Sequence, residues 1–134
     1  MKRLLVLCTG NSCRSIIAEG ILRKEFKGQL EVKSSGVRAS GWVHPGSLEI
    51  LKELGYPIEG LHSKTLDKVM GSYDAVLTVC DHAKETCPVF PGGGKKLHLS
   101  IEDPMAKGPE GFAACAELVK NEVLPLVKRE LGLH

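Results

Sequence analysis

Short runs of aliphatic residues alternate along the chain with segments of helical periodicity. The clearest apolar runs, at residues 3–7 and 74–80, are rich in leucine or valine and are typical of strands that are buried on both faces, as parallel strands usually are. At 134 residues the chain has the size of one domain. We therefore predict a single α/β domain over residues 1–134, with a four-stranded parallel sheet and helices on both faces.

The other elements are predicted from the same patterns. Residues 30–36 are predicted to form a second strand, and the sequence KKLHLS from Lys95 is a weaker candidate for the fourth. Pro125 should bend or break the last helix. The predicted helices are Ile16–Lys27, His44–Gly55, a short one at Leu66–Met70, and Glu110–Leu131.

Composition excludes several classes of function. A net charge of +2 is too small to favour nucleic acid or an anionic membrane as a partner. The N-terminal apolar run covers only residues 4–7, too short for a signal sequence or a membrane span, so we expect a cytoplasmic protein. In that reducing compartment the five cysteines are expected to be packed side chains, metal ligands or working thiols.

The sequence VLCTGNSCRS joins the first predicted strand to the first predicted helix and contains the best candidate site. Backbone N–H groups of a tight loop at a helix N-terminus can bind a tetrahedral oxyanion, and an arginine adds a bidentate contact. The same donors would stabilise a Cys8 thiolate beneath the anion. Gly10 is available for an unusual backbone angle. The predicted anion-binding residues are Thr9, Gly10, Asn11, Ser12, Cys13 and Arg14.

This loop, with AEG at residues 18–20, resembles the phosphate-binding loop of the low-molecular-weight protein tyrosine phosphatases and of their relatives, the thioredoxin-coupled arsenate reductases. The motifs SSG from Ser34, TVCDHAKETCP from Thr78 and EDP from Glu102 come in the family's order, so the resemblance covers nearly the whole chain. It implies that Cys8 is a nucleophile and that Ser15 hydrogen-bonds its thiolate.

Cys80 and Cys87 decide between the two branches of the family. With His82 they would make a poor, widely spaced zinc site, and simple packing is more natural for Cys80 than for Cys87. A redox role explains both thiols. Resemblance to the reductases implies that Cys8 attacks arsenate, Cys80 attacks Cys8, and Cys87 attacks Cys80. The Cys80 to Cys87 disulfide would then be reduced by thioredoxin or by a glutaredoxin system.

Asp103 comes after the fourth predicted strand and precedes Pro104, which places it in a loop. Beside an anion site such a carboxyl can remain protonated and act as a general acid, whereas without that site it would be a simple Asp-Pro turn. Cys13 and Cys115 are interpreted as packed residues. Phosphatases of the family often have tyrosine after the Asp-Pro pair, and Met105 stands there in this chain.

The reductases also imply a potassium ion near the loop, and no organic cofactor. The matching positions carry oxygen atoms, as a hard cation prefers, although two of them, Asn11 and Ser34, could instead brace the loop. These positions are Asn11, Glu19, Ser34, Thr65 and Asp67.

Three functions remain open at this point. The leading hypothesis is an arsenate reductase of arsenic resistance, with phosphate or sulfate as competing anions. The alternative is a phosphatase acting on phosphotyrosine or a small phosphoester, for which Cys8, Arg14 and Asp103 would suffice. The third is a non-catalytic anion-binding or redox-sensing module.

Overall fold

A computed structural model describes residues 1–81 and 94–134 of the chain. Its sheet has four strands in the order β2-β1-β3-β4, and every neighbouring pair is parallel. This confirms the predicted four-stranded parallel sheet. The strands are β1 (Lys2–Cys8), β2 (Leu30–Gly36), β3 (Ala75–Thr78) and β4 (Lys95–His98).

The helices agree with the predicted positions and differ at their ends. Helix α1 begins at Arg14, two residues earlier than predicted, so the loop after β1 is shorter. The third strand ends at Thr78, so that Cys80 lies beyond it. The helices are α1 (Arg14–Glu25), α2 (Pro45–Glu53), α3 (Gly108–Leu118) and α4 (Leu124–Leu131), with 3₁₀ turns at Leu66–Lys68 and Pro104–Lys107.

Pro125 distorts the C-terminal helical segment without ending it. Residues Val119–Val123 form a π-helical turn between α3 and α4. Proline lacks an N–H and its ring crowds the carbonyl of the preceding turn, and a π turn accommodates such a residue by widening the helix locally. The buried stripe nevertheless continues through Val123 and Val127.

The core surrounds β1, the second strand in the sheet order. The side chains of Leu4, Leu5, Val6 and Leu7 are completely buried. Because successive side chains of a strand point to opposite faces, burial of all four requires that both faces of the sheet be covered. One hydrophobic cluster joins these residues to side chains of α1, β3, α3 and α4.

Parallel pairing brings the carboxyl ends of the strands to one edge of the sheet, where α/β proteins bind ligands. Cys8 is the last residue of β1. Val79, just after β3, donates its N–H to the carbonyl of Leu7, and Ile101, after β4, donates to the carbonyl of Val79, both at 2.9 Å. The segments that carry Cys80 and Asp103 are thereby held beside the end of β1. Over residues 1–81 and 94–134, no helix is both long and apolar enough to cross a membrane.

Candidate active site

The loop between β1 and α1 turns its carbonyl groups outward and its N–H groups inward. Three loop carbonyls accept hydrogen bonds from the segment after β2: Thr9 O from Arg38 N at 2.9 Å, Gly10 O from Ser40 N at 2.9 Å, and Ser12 O from His44 N at 3.1 Å. In a trans peptide the next N–H points the opposite way. The N–H groups of Gly10, Asn11 and Cys13 therefore point away from that segment, and those of the first turn of α1 have no intrahelical partner.

Asn11, and not Gly10, takes the unusual backbone angle. Its φ is 51°, in the left-handed region that asparagine tolerates better than most residues, whereas Gly10 is not in that region. The expectation for Gly10 was therefore wrong by one position. The loop instead requires a glycine at Gly36 of β2, where a Cβ would lie 2.5 Å from the carbonyl oxygen of Thr9 and 3.0 Å from the backbone nitrogen of Asn11.

The sulfur of Cys8 is buried beneath this loop and receives two hydrogen bonds. Asn11 N lies 3.3 Å from it and Ser15 Oγ lies 2.9 Å from it. The side-chain oxygen of Asn11 accepts from Lys64 N at 2.9 Å, so its amide nitrogen must donate to Ser15 Oγ at 2.7 Å. The hydroxyl proton of Ser15 is then directed at the Cys8 sulfur, an arrangement that stabilises a thiolate. The predicted contact between Ser15 and Cys8 is present.

A pocket of about 210 Å³ opens above the sulfur. Since one water occupies about 30 Å³, a tetrahedral oxyanion fits there together with water. Arg14 lines the pocket, and its Nη1 donates to the carbonyl of Ile101 at 3.2 Å, which fixes the guanidinium at the rim. The lining residues are Cys8, Thr9, Gly10, Ser12, Cys13, Arg14, Asp103 and Met105.

Asp103 lies on the same rim, as a general acid would require. The side chain is exposed, and its Oδ1 accepts from Met105 N at 3.0 Å, which caps the 3₁₀ turn Pro104–Lys107. Its acid role remains a prediction. Half-exposed Met105 also lines the pocket, at the position where many phosphatases of the family carry tyrosine.

The structure places the sulfur of Cys80 3.3 Å from Thr9 Oγ1, so the second thiol of the predicted relay touches the loop. Cys87 lies outside the described residues. Cys13 and Cys115 are buried, and burial raises the pKa of the Cys13 thiol and raises that of Cys115 to about 12. Both are thus held as neutral thiols near pH 7, which suits packing better than redox chemistry.

The predicted potassium ligands fall into two groups. Asn11, Glu19 and Ser34 share hydrogen bonds: Asn11 Nδ2 donates to Ser34 Oγ at 3.0 Å, and Ser34 Oγ donates to Glu19 Oε1 at 2.5 Å. The hydroxyl of Thr65 instead donates to the exposed carboxylate of Asp67. A further residue, Lys64, places its ammonium 3.6 Å from Glu19 Oε1 and 3.4 Å from Ser34 Oγ, so a positive charge already lies beside two of these oxygens. Potassium binding stays a prediction.

Sequence reasoning missed the residues that brace the loop from outside. Ser63 Oγ donates to the carbonyl of Gly10 at 3.0 Å, and Ser47 Oγ donates to that of Ser12 at 2.8 Å. Lys64 is the other omission. These residues lie 35 to 53 positions from their partners in the sequence, and no local pattern marks such contacts. Gly36, by contrast, lies in the SSG motif that supports the family resemblance.

The fold and the loop together are those of a phosphatase-like α/β protein. The chain belongs to the low molecular weight phosphotyrosine protein phosphatase family, whose model matches residues 3–132. It is 36% identical over 123 residues to a protein of Staphylococcus haemolyticus named arsenate reductase 2, covering 91% of this chain and 93% of that one.

Two solved structures extend the comparison. An arsenate reductase in the phosphate binding state superimposes with a TM-score of 0.84 at 29% identity, covering 96% of this chain and 98% of the other. The thioredoxin-dependent arsenate reductase of Corynebacterium glutamicum gives a TM-score of 0.74 at 30% identity, covering 98% of this chain and 62% of that one.

Proposed function

We propose that this protein is an arsenate reductase that uses Cys8, Cys80 and Cys87 in succession. The observation that carries the proposal is the position of the Cys80 sulfur, 3.3 Å from Thr9 Oγ1, beside a loop that already contains a hydrogen-bonded Cys8. A phosphatase needs only the loop cysteine, the arginine and an acid. The names of the relatives support the same branch of the family.

In the first step the loop N–H groups and Arg14 bind arsenate, and the Cys8 thiolate attacks arsenic. A sulfur–arsenic bond forms and one oxygen leaves as water, protonated by Asp103. The preformed donors reduce the cost of this step, because they need no reorganisation when charge develops on the oxygens.

In the second step the Cys80 thiolate attacks the sulfur of Cys8. The sulfur–arsenic bond breaks, and its electron pair remains on arsenic, which leaves as arsenite with arsenic reduced from +5 to +3. Cys87 then attacks Cys80, so that Cys8 departs as a thiolate and a Cys80 to Cys87 disulfide remains. The two electrons come from the thiols, so the reaction requires no organic cofactor.

Regeneration requires an external dithiol. We propose thioredoxin, since one of the solved structures is a thioredoxin-dependent arsenate reductase. A glutaredoxin system is the competing reductant, and the two are distinguished by adding each purified system to the oxidised protein and measuring the return of two thiols.

The test is a single turnover of fully reduced protein with arsenate and no other reductant. We expect one arsenite per protein, loss of two of the five thiols, and a Cys80 to Cys87 disulfide in the peptide map. Cys87→Ser should still release one arsenite but stop at a Cys8 to Cys80 disulfide, and Cys80→Ser should release none. Survival of all five thiols without arsenite would refute the reductase proposal.

The alternative is a phosphatase, favoured by the family and by the placement of Cys8, Arg14 and Asp103 around one pocket. It predicts hydrolysis of an aryl phosphate that depends on Cys8 and is unaffected by Cys80→Ser or Cys87→Ser. Hydrolysis of this kind, with no arsenite in the single turnover, would identify the phosphatase.

A further inference from the structure

Lys64 is a lysine whose main chain and side chain are both built into the support of the loop. Its N–H donates to Asn11 Oδ1 at 2.9 Å, and its carbonyl accepts from Gly36 N at 3.1 Å. The ammonium lies 3.6 Å from Glu19 Oε1 and 3.4 Å from Ser34 Oγ. The ammonium also donates to the His62 carbonyl at 3.0 Å, and the side chain is 10% exposed, so this is a largely buried cation with a defined position.

The hydrogen bonds from Glu19 to Cys8 have only one consistent set of directions. The Glu19 carboxylate can only accept, so Ser34 Oγ donates to it at 2.5 Å and accepts from Asn11 Nδ2 at 3.0 Å. Asn11 Nδ2 also donates to Ser15 Oγ, which leaves the Ser15 proton for the Cys8 sulfur. An ionised Glu19 therefore supports the orientation of the Asn11 amide that the Lys64 N–H also imposes, and with it the hydrogen bond that reaches the nucleophile.

Glu19 is buried, with a side chain 5% exposed, and a buried carboxylate needs cations to remain ionised. Arg23 contacts its outer oxygen at 2.5 Å, and Lys64 approaches the inner oxygen, the one bonded to Ser34. The pKa of Lys64 is lowered overall. Burial lowers it most, the Glu19 carboxylate raises it, and Arg23 and Lys33 lower it. Burial beside the inner oxygen of Glu19 therefore disfavours the charged form of Lys64, and the carboxylate offsets part of that effect.

We propose that the Lys64 ammonium is the built-in cation of this network and that it takes the place predicted for potassium. In this role Lys64 is a positioning residue. Its ammonium balances the buried Glu19 carboxylate, and its N–H, with the chain through Ser34, Asn11 and Ser15, supports the hydrogen bond to the Cys8 sulfur. The protein then needs no monovalent cation to keep Cys8 reactive. The inference rests on the proposed use of Cys8 as a nucleophile.

The site also allows an exchange of cations. A cavity of about 630 Å³ adjoins the network, and Glu19, Arg23, Lys64 and Thr65 are among its lining residues. Shortening or neutralising Lys64 would open a path from this cavity to the inner oxygen of Glu19. Added potassium or ammonium could then occupy the place of the missing ammonium group.

The experiment measures the rate of Cys8 alkylation by iodoacetamide as a function of pH, with the labelled peptide identified by mass. The buffers contain choline chloride or potassium chloride at equal ionic strength. In wild type we expect identical profiles in both salts. In Lys64→Met we expect a roughly tenfold slower rate at pH 7 in choline, and a return towards the wild-type rate in potassium or ammonium.

Two controls separate position from charge. Lys68→Met removes one positive charge from the lining of the same cavity without touching the network, so it should keep the wild-type profile. Adding Glu19→Gln to Lys64→Met removes the carboxylate that a cation would neutralise, so potassium should no longer accelerate alkylation.

Either of two results would overturn the inference. One is a Lys64→Met profile that matches that of Lys68→Met. The other is a wild-type profile that shifts with potassium but not with choline, and this measurement does not depend on any variant folding. Because the assay contains no arsenate, it gives the same answer whether or not the protein reduces arsenate.

Discussion

Substitution of Gly36 by alanine tests whether the loop is shaped from below by β2. The added Cβ would lie 2.5 Å from the Thr9 carbonyl oxygen, and 3.0 Å from both Ala39 Cα and the Asn11 backbone nitrogen. All three atoms belong to the backbone, so none can rotate away. Relief requires a shift of about 0.9 Å in the Thr9 carbonyl, the difference between 2.5 Å and an ordinary contact of 3.4 Å.

The expected cost can be estimated from that shift. Overpacking costs about 1–3 kcal/mol, and the lower entropy of an unfolded alanine chain offsets about 0.4–1 kcal/mol. We expect Gly36→Ala to lower the free energy of unfolding by about 1–2 kcal/mol. Since displacements of about 1 Å in a site can cost on the order of 100-fold, the loop should also bind anions at least tenfold more weakly.

The assay combines urea unfolding with protection of Cys8 from alkylation by added phosphate. Gly20→Ala is the matched control, because its Cβ would meet only the methyl carbons and Cγ of Leu51, a side chain that can rotate. It should retain the wild-type phosphate concentration for half protection. If Gly36→Ala also retains that concentration and unfolds at the wild-type urea midpoint, the argument that this glycine shapes the loop is wrong.

Individual contacts support three further predictions. Ser15→Ala removes the hydroxyl that lies 2.9 Å from the Cys8 sulfur. Since a hydrogen bond to a charged group contributes about 1.5–3 kcal/mol, alkylation of Cys8 at pH 7 should slow by roughly 10- to 100-fold. Iodoacetamide at pH 7 should label Cys8 well before Cys13, whose pKa is raised by burial; peptide mapping showing equal labelling would contradict this. Burial and a 2.7 Å hydrogen bond to Glu25 raise the pKa of Tyr56 to about 12. The contribution of the neutral Tyr56 hydroxyl to the free energy of unfolding is therefore complete below pH 10 and is lost as pH rises from 10 to 12. Urea unfolding of Tyr56→Phe should show a smaller loss of stability over that range than wild type.

The parts of the fold that the sequence predicted are those with a strong local signal. The leucine run of β1 is typical of a strand buried on both faces, and Pro45 and Gly55 bracket α2 by their backbone preferences. The third strand was predicted too long because Val79 and Cys80 are as apolar as the strand itself. They remain buried next to it while only Ala75–Thr78 pair as a strand, and periodicity cannot distinguish these two cases.

The candidate site was predictable where its residues are adjacent in sequence, as from Cys8 to Ser15. It was not predictable where a partner arrives from a distant segment. Lys64 lies in the stretch GLHSKTLDK, which has no marked hydrophobic pattern, and a lone lysine in such a stretch is typical of a solvated surface. Its burial depends on the turn that brings Lys64 N to Asn11 Oδ1, a contact spanning 53 positions.

The anion-binding loop and the second thiol, Cys80, come from segments that are distant in sequence. The loop carbonyls of Thr9, Gly10 and Ser12 are held by the segment after β2 and by Ser63, and not by the described residues after β3. That later segment supplies Cys80, whose sulfur lies 3.3 Å from Thr9 Oγ1, a side-chain atom of the loop. Cys80 is not among the residues that line the anion pocket, so we expect its replacement to leave the shape of the pocket unchanged. Cys80→Ser should therefore preserve the protection of Cys8 by phosphate within about twofold while abolishing arsenite release. A large loss of phosphate protection would show instead that anion binding by the loop is structurally coupled to Cys80.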